Sequence, residues 1–406
     1  MGMSSEEIKK MASEYIMNTY GRYDLALVRG KGALVYDPEG KEYLDFVGGL
    51  AVTSLGHSHP QVARAVADQA LKLVHVSNLF YTEPQVKLAR LLVENSLADK
   101  VFFCNSGAEA NEAAIKLARK YSWERYGPGR FKILTMENSF HGRTMTTLSA
   151  TAQAKIHHGF EPLVQGFEYL PFNDLAALEK AVNEEVCAIM IEPIQGEGGV
   201  NEAGEDYLAG VSELCALRDV LLIFDEVQVG LGRTGTFFAY QQFKATPDIV
   251  TLAKALANGL PMGACLAREE AARAFGPGSH ATTFGGTPLV SAAALTSLET
   301  ILSPGFLDQV VRVGRYFKDQ LKELAAGGDY IKEVRGRGLI LGLELTFPGA
   351  GVVKSLMNRG FLINCTMERV LRFLPPLTVT EAEIDRLMPP LSAVLAEEAA
   401  AAKGNR

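Results

Sequence analysis

Short apolar runs and amphipathic stretches take turns along the central part of the chain. The apolar runs have the length of buried β-strands, and helical patterns separate them from residue 61 to about residue 295. The runs cover residues 100–104, 131–136, 187–191, 220–224, 249–253 and 263–267. This order predicts an α/β fold in which a mostly parallel sheet has helices on both faces.

The two ends of the chain have a different pattern. Residues 30–46 predict a β-hairpin with an Asp-Pro-Glu-Gly turn, and residues 289–302 predict a long helix. Two β-rich parts (338–345 and 361–364) and an amphipathic tail helix follow. We therefore expect a smaller α+β domain built from both chain ends. The expected division is 1–60 for the N-terminal part of the small domain, 61–295 for the large domain, and 296–406 for the C-terminal part of the small domain.

Asp225 and Lys254 come directly after two of the expected strands. Open α/β sheets bind their ligands at such strand ends. A lysine there can lose its charge by desolvation and form a Schiff base, and a nearby carboxylate can keep a ring nitrogen protonated. Pyridoxal phosphate chemistry requires this pair. Taken singly, however, a lysine in this place is usually a solvated strand end, and an aspartate is usually a helix cap.

Composition narrows the class of protein. The net charge is −7 and the basic residues are not clustered, which argues against nucleic acid and anionic membranes as partners. No apolar run has transmembrane length, and residues 1–20 lack a signal-peptide core. The five cysteines are scattered without a CxxC pair, which is typical of reduced thiols. We expect a soluble cytoplasmic protein. His57 and His59 lack a third ligand at suitable spacing, so no metal site is predicted.

Two further motifs are candidates for a cofactor site. Ser106, Gly107 and Ala108 lie where an expected strand turns into a helix, so their backbone N–H groups either bind a phosphate or simply cap the helix. Phe140 and Arg143 follow another apolar run. The aromatic ring either stacks on a flat cofactor or fills the core, and the arginine is suited to a carboxylate.

Three more segments carry charged or hydroxyl groups in unusual places. Glu192 and Glu197 lie in a glycine-rich turn after a strand, where an acid serves as a movable counter-charge or the turn is structural. Thr282 and Thr283 offer two hydroxyls to a phosphate. Arg372 lies inside an apolar run, which is costly unless it faces an anion or an acid.

A dinucleotide-binding site is the main alternative from another class of enzyme. Gly230, Gly232 and Gly235 match the G-x-G-x-x-G pattern after a strand. The segment Asp-Glu-Val-Gln intervenes between that strand and the first glycine, no helix clearly follows, and Asp248 precedes its strand. We therefore reject an NAD-dependent dehydrogenase.

Together the motifs resemble the class III (ω-amino acid) aminotransferases of pyridoxal-phosphate fold type I, and within them the acetylornithine branch. The resemblance runs from residues 32–60 to 371–376. Its motifs appear in the family's order: Asn-Ser-Gly-Ala-Glu-Ala-Asn-Glu, Phe-His-Gly-Arg-Thr, Glu-Pro-Ile-Gln-Gly-Glu-Gly-Gly, Phe-Asp-Glu-Val-Gln-x-Gly-x-Gly-Arg-Thr-Gly and Thr-Phe-Gly-Gly-x-Pro. The joint match is specific for the cofactor and the reaction, and less so for the substrate. Thr287 stands where the family commonly has asparagine.

The resemblance implies a role for each motif. Lys254 would carry pyridoxal 5'-phosphate as a Schiff base, and Asp225 would pair with its ring nitrogen. The other implied cofactor residues are Ser106, Gly107, Ala108, Phe140, Glu192, Val227, Gln228 and, from the neighbouring subunit, Thr283. The implied substrate residues are Arg143, Thr282, Glu197 and Arg372, the last two forming a gate for the second carboxylate of 2-oxoglutarate. A homodimer with active sites at its interface is also implied.

The amino donor depends on fewer residues. Leu34 and Leu50 stand where ornithine aminotransferases have tyrosines suited to a free α-ammonium group, so an acylated α-nitrogen is favoured. The resemblance thus implies transamination of N2-acetyl-L-ornithine with 2-oxoglutarate to N-acetyl-L-glutamate 5-semialdehyde and L-glutamate, a step of arginine biosynthesis. A 4-aminobutyrate, ornithine or succinyl-diaminopimelate aminotransferase stays open, as does a non-catalytic protein that only binds the cofactor.

Overall fold

The computed structural model describes residues 2–404 and contains four sheets. Its strands are β1 (Arg29–Lys31), β2 (Leu34–Tyr36), β3 (Glu42–Asp45), β4 (Lys100–Cys104), β5 (Lys132–Met136), β6 (Phe167–Leu170), β7 (Val186–Ile191), β8 (Ile194–Gln195), β9 (Asn201–Glu202), β10 (Leu221–Asp225), β11 (Ile249–Leu252), β12 (Gly263–Ala267), β13 (Ile331–Arg337), β14 (Ile340–Leu345), β15 (Phe361–Leu362), β16 (Asn364–Thr366) and β17 (Val370–Phe373).

Helices cover much of the remaining chain. They are α1 (Ser5–Tyr15), α2 (Gly48–Ala51), α3 (Pro60–Ala70), α4 (Glu83–Glu94), α5 (Gly107–Tyr126), α6 (Met145–Ala150), α7 (Leu175–Ala181), α8 (Glu205–Arg218), α9 (Glu269–Ala272), α10 (Pro288–Ile301), α11 (Phe306–Ala326), α12 (Ala350–Asn358) and α13 (Glu381–Gly404). The α2 segment is a single turn with left-handed backbone, since the φ angle is positive at all four of its residues.

The largest sheet has seven strands in the order β4-β12-β11-β10-β7-β5-β6. All its pairings are parallel except the two made by β12. The predicted mostly parallel sheet is thus confirmed, and all six predicted runs are strands with small shifts at their ends. β6 was not predicted, because this edge strand is only partly buried and has no continuous apolar run.

Apolar runs predict these strands well because both faces of the sheet are covered. Along β10, Leu222 and Phe224 pack into one hydrophobic cluster, and Ile223 between them packs into a second cluster with Ile115 of α5. Burying each such side chain contributes about 1.5–3 kcal/mol to folding. The two clusters hold the strands in register, so the residues that follow them are placed precisely.

Two smaller four-stranded sheets lie outside the large one. The first, in the order β1-β2-β3-β15, joins both chain ends, since β3 pairs in parallel with β15. It contains the predicted hairpin as β2 and β3. The second has the order β13-β14-β17-β16 and carries Arg372 on β17. The predicted helix at 289–302 is α10. The division into domains at residues 60 and 295 stays a prediction.

No single helix within residues 2–404 has the length and hydropathy of a membrane span. Helices α10 and α11 reach that threshold only when taken together, and they are bent by 69° at the break between them.

Candidate active site

Three neighbouring parallel strands bring three charged side chains to one edge of the large sheet. Glu192 follows β7, Asp225 ends β10, and Lys254 follows β11 as the first residue of a 3-10 turn. They line a cavity of about 260 Å³. Ten of the predicted site residues line it: Gly107, Ala108, Phe140, Arg143, Glu192, Glu197, Asp225, Val227, Gln228 and Lys254.

Asp225 is buried and held by three donors. The backbone N–H of Val227 donates to Oδ1 at 3.0 Å, and Asn111 Nδ2 donates to Oδ2 at 2.7 Å. His141 Nδ1 lies 2.8 Å from the same Oδ2. Hydrogen bonds of this kind stabilise the carboxylate and fix its orientation. Sequence reasoning missed Asn111 and His141, although both lie inside the quoted motifs.

Burial changes the protonation of the groups beside Asp225. It lowers the pKa of Lys254, an effect that the negative charge of Glu197 partly opposes. Burial and the charge of Asp225 together raise the pKa of Glu192 well above its usual range, although the N–H of Phe140 donates to Glu192 at 3.0 Å. Burial and the neighbouring carboxylate thus favour the uncharged form of Glu192.

One end of the cavity is the N-terminus of α5. Ser106 caps this 20-residue helix by accepting a hydrogen bond from the N–H of Glu109, and Gly107 and Ala108 form its first turn. A Cβ at position 107 would lie 2.7 Å from Val227 Cγ1, so no side chain fits there. Free N–H groups and the helix dipole make this end suitable for an anion such as a phosphate.

Phe140 and Arg143 line another part of the cavity. The guanidinium carbon of Arg143 lies 5.5 Å from the centroid of the Phe140 ring, within the range of a cation–π contact. Arg143 is exposed, so it can accept a carboxylate from solvent at this side of the cavity.

Glu197 and Arg372, which we call the gate, form an ion pair beside Lys254. Arg372 is completely buried, and its Nη1 donates to Glu197 Oε1 at 2.7 Å and to Gln228 Oε1 at 3.1 Å. Gln228 Nε2 donates in turn to Glu197 at 3.3 Å. Burial acts to raise the pKa of Glu197, but the charge and hydrogen bond of Arg372 outweigh it and hold this pKa below its usual value.

Four predicted residues are absent from the cavity wall of this single chain: Ser106, Thr282, Thr283 and Arg372. Thr283 is exposed, and Thr282 Oγ1 accepts a hydrogen bond from Asn105 Nδ2 at 3.0 Å. Asn105 precedes the cap of α5, so Thr282 lies near the N-terminus of that helix.

The residues present fit a flat, anionic cofactor that contains a ring nitrogen. An anion site, an aromatic wall, a fixed carboxylate and an amine surround one space, and buried atoms Asn111 Oδ1 and His141 Nε2 have no hydrogen-bond partner within the described residues. Such a set of groups matches pyridoxal 5'-phosphate.

Comparison with known proteins defines the class. The family model of class-III aminotransferases matches residues 15–395, so this chain belongs to that family, whose members depend on pyridoxal 5'-phosphate. The chain is 51% identical over 395 residues to an acetylornithine aminotransferase of Methanocaldococcus jannaschii, covering 97% of this chain and 99% of that protein. It is 52% identical over 382 residues to an acetylornithine aminotransferase of Aquifex aeolicus, covering 94% and 100%.

Solved structures agree with this class. The ornithine aminotransferase from Toxoplasma gondii superposes with a TM-score of 0.94 at 35% identity, covering 100% of this chain and 97% of that one. The acetylornithine aminotransferase from Elizabethkingia anophelis superposes with a TM-score of 0.87 at 33% identity, covering 98% and 100%. These similarities confirm the predicted family and fold type.

Proposed function

We propose that this chain transfers the ω-amino group of N2-acetyl-L-ornithine to 2-oxoglutarate. The observation that carries the reaction type is Lys254, with a lowered pKa, in one cavity with a buried and triply held Asp225. The sequence relatives named above support this donor. An ornithine donor is the second candidate, since a solved ornithine aminotransferase has nearly the same fold.

Each charged group of the site has a distinct task. When bound, pyridoxal 5'-phosphate supplies a ring that accepts the electron pair released at the substrate's amino-bearing carbon. Lys254 Nζ would act as general base at that carbon, and burial, which lowers the pKa of Lys254, favours the neutral amine that this role needs. Asp225 would hold the proton on the ring nitrogen, and the N-terminus of α5 would bind the phosphate.

The gate allows one pocket to accept two differently charged substrates. While Glu197 pairs with Arg372, the arginine is neutralised and the ω-amino donor can bind with its own carboxylate at Arg143. When Glu197 turns away, Arg372 can bind the second carboxylate of 2-oxoglutarate or glutamate. We also assign a substrate-binding role to Thr282, whose Oγ1 accepts a hydrogen bond from Asn105.

Donor preference is assigned to Leu34 and Leu50. The side chain of Leu50 is 40% exposed. Its backbone φ is +65°, a conformation that costs a non-glycine residue about 1–2 kcal/mol. An apolar group held there cannot solvate a free α-ammonium group but can contact an acyl group. This favours N-acetylornithine over ornithine.

Replacing Leu50 with tyrosine should therefore shift the choice of donor. We expect the ratio of kcat/KM for ornithine to kcat/KM for N-acetylornithine to rise by about 10-fold or more, the scale on which one contact with a substrate discriminates between two donors. Steady-state assays with N-acetylornithine, ornithine, 4-aminobutyrate and succinyl-diaminopimelate measure it. An unmodified protein that uses ornithine or 4-aminobutyrate best would contradict the proposed donor.

We also propose a homodimer in which Thr283 contributes to the partner's phosphate site. Large apolar side chains near this residue are exposed, with Leu79 at 85%, Tyr81 at 99% and Phe284 at 62%. His75 packs against Phe284 with ring centroids 5.4 Å apart, which joins the two segments into one patch. Exposed apolar patches of this kind mark protein interfaces.

Mixing two inactive variants tests this arrangement. Lys254→Ala and Thr283→Asp should each be inactive alone, but a hybrid dimer has one site with both native residues. Random mixing should restore about a quarter of the native activity. Mixtures that stay inactive although sedimentation shows dimers would place Thr283 in its own subunit's site, and a mass equal to one chain would contradict the dimer.

A further inference from the structure

Strand β16 contacts both members of the gate. Thr366 Oγ1 donates to the backbone carbonyl of Glu197 at 2.5 Å, and Asn364 contacts Arg372. Because side chains at positions i and i+2 of a strand share a face, Asn364 and Thr366 point to the same side of β16. One short strand therefore touches the acid and the arginine at once.

Asn364 lies directly opposite Arg372 in the antiparallel pairing of β16 with β17. We orient the side-chain amide of Asn364 so that its oxygen and its nitrogen both form hydrogen bonds with Arg372. Oδ1 then accepts a hydrogen bond from Arg372 Nη2 at 2.9 Å, and Nδ2 donates to the backbone carbonyl of Arg372 at 3.2 Å. The guanidinium is thus bound from one side by Glu197 and Gln228 and from another by Asn364.

A buried guanidinium needs acceptors in every state of the gate, since it has five N–H donors and keeps its charge. When Glu197 leaves, Nη1 loses its acid, but Nη2 keeps the neutral oxygen of Asn364. The amide oxygen of Asn364 carries no charge, so it holds the guanidinium in place without competing with an incoming carboxylate. The Thr366 contact meanwhile fixes the backbone of Glu197, so that only the acid's side chain turns.

We propose that Asn364 is a positioning residue that keeps Arg372 aimed at the second carboxylate of the keto acid while Glu197 is turned away. This rests on the proposed role of the gate. This role affects one half-reaction and not the other. Losing Asn364 should weaken binding of dicarboxylates and leave the reaction with the ω-amino donor unchanged, because in that half of the cycle Glu197 itself holds Arg372.

The test uses Asn364→Leu, which keeps the size of the side chain and removes its hydrogen bonds. Calorimetric titration of the cofactor-loaded protein with glutarate, an unreactive dicarboxylate, should give a Kd about tenfold higher than that of the unmodified protein, the effect of one hydrogen bond to a charged group. The rate at which N-acetylornithine bleaches the visible band, without keto acid, should change by less than about twofold.

Two further variants separate positioning from packing. Asn364→Asp places a permanent counter-charge beside Arg372, so we expect glutarate to bind more weakly still, whereas loss of packing alone predicts near-native binding. Cys365→Ala alters the other face of the same strand and should leave both measurements unchanged.

Either of two results would overturn the inference: an unchanged Kd for glutarate in Asn364→Leu, or an equal loss in the donor reaction. The variant Arg372→Ala shows whether a contradicting result concerns Asn364 alone or the proposed gate. If Arg372→Ala weakens glutarate but Asn364→Leu does not, only the role of Asn364 is wrong. If Arg372→Ala leaves glutarate binding unchanged, the proposed gate itself is wrong.

Discussion

Replacing Lys254 with alanine should remove the visible absorption band of the cofactor-loaded protein and lower kcat/KM for N-acetylornithine by about 10²–10⁴-fold or more. The amine of Lys254 is the cavity's only lysine nitrogen among the described residues, and burial lowers its pKa. No carboxyl or imidazole group lining the cavity can replace this amine in a Schiff base. Absorption spectra and steady-state assays measure the two effects.

A control shows that the effect belongs to this lysine. Lys244 is exposed and does not line the cavity, so Lys244→Ala should keep both the band and the activity. If Lys254→Ala kept the band and most of its activity, the assignment of Lys254 would be wrong.

Conversion of the carboxyl group to an amide should lower kcat strongly at Asp225 and only slightly at its neighbour Glu192. Asp225→Asn removes a charge that Asn111, His141 and the N–H of Val227 stabilise, so kcat should fall by about 10²–10³-fold. Glu192→Gln is a smaller change, because burial and Asp225 raise the pKa of Glu192 well above its usual range and favour the uncharged carboxyl group, which the amide resembles. We expect Glu192→Gln to keep kcat within about tenfold.

The two variants are matched, since each turns a buried acid into its amide at the same edge of the sheet. Comparing their kcat values and their affinities for pyridoxal 5'-phosphate tests the assigned charges. An equal loss in both variants would mean that Glu192 is ionised, and a mild effect of Asp225→Asn would contradict its role at the ring nitrogen.

Much of the fold could be predicted because the central strands are buried on both faces. Runs such as 220–224 have no polar positions, so length alone separates them from helices. The edge strand β6 lacks this signal, since one of its residues is exposed and the others are partly buried. The pairing of β3 with β15 joins residues far apart in sequence, which no local pattern specifies.

The site was predictable where a residue type is unusual for its local sequence, such as a charged residue in an apolar run. Arg372 in an apolar run predicted a nearby acid or anion, and the structure places Glu197 at 2.7 Å. Asn111 and His141 are not unusual in this sense, because a polar residue on a helix or after a turn is ordinary on a protein surface. Only the fold shows that Asn111 on α5 and His141 in the loop between β5 and α6 both contact Asp225. Their roles, like those of the other site residues, stay proposals.

The most direct test of the proposed function is the visible spectrum of the purified, cofactor-loaded protein before and after addition of N-acetylornithine without keto acid. We expect the visible band to bleach and to return when 2-oxoglutarate is added. A band that stays with N-acetylornithine but bleaches with ornithine or 4-aminobutyrate would contradict the proposed donor. A protein that shows no such band after incubation with pyridoxal 5'-phosphate would contradict the account built on Lys254.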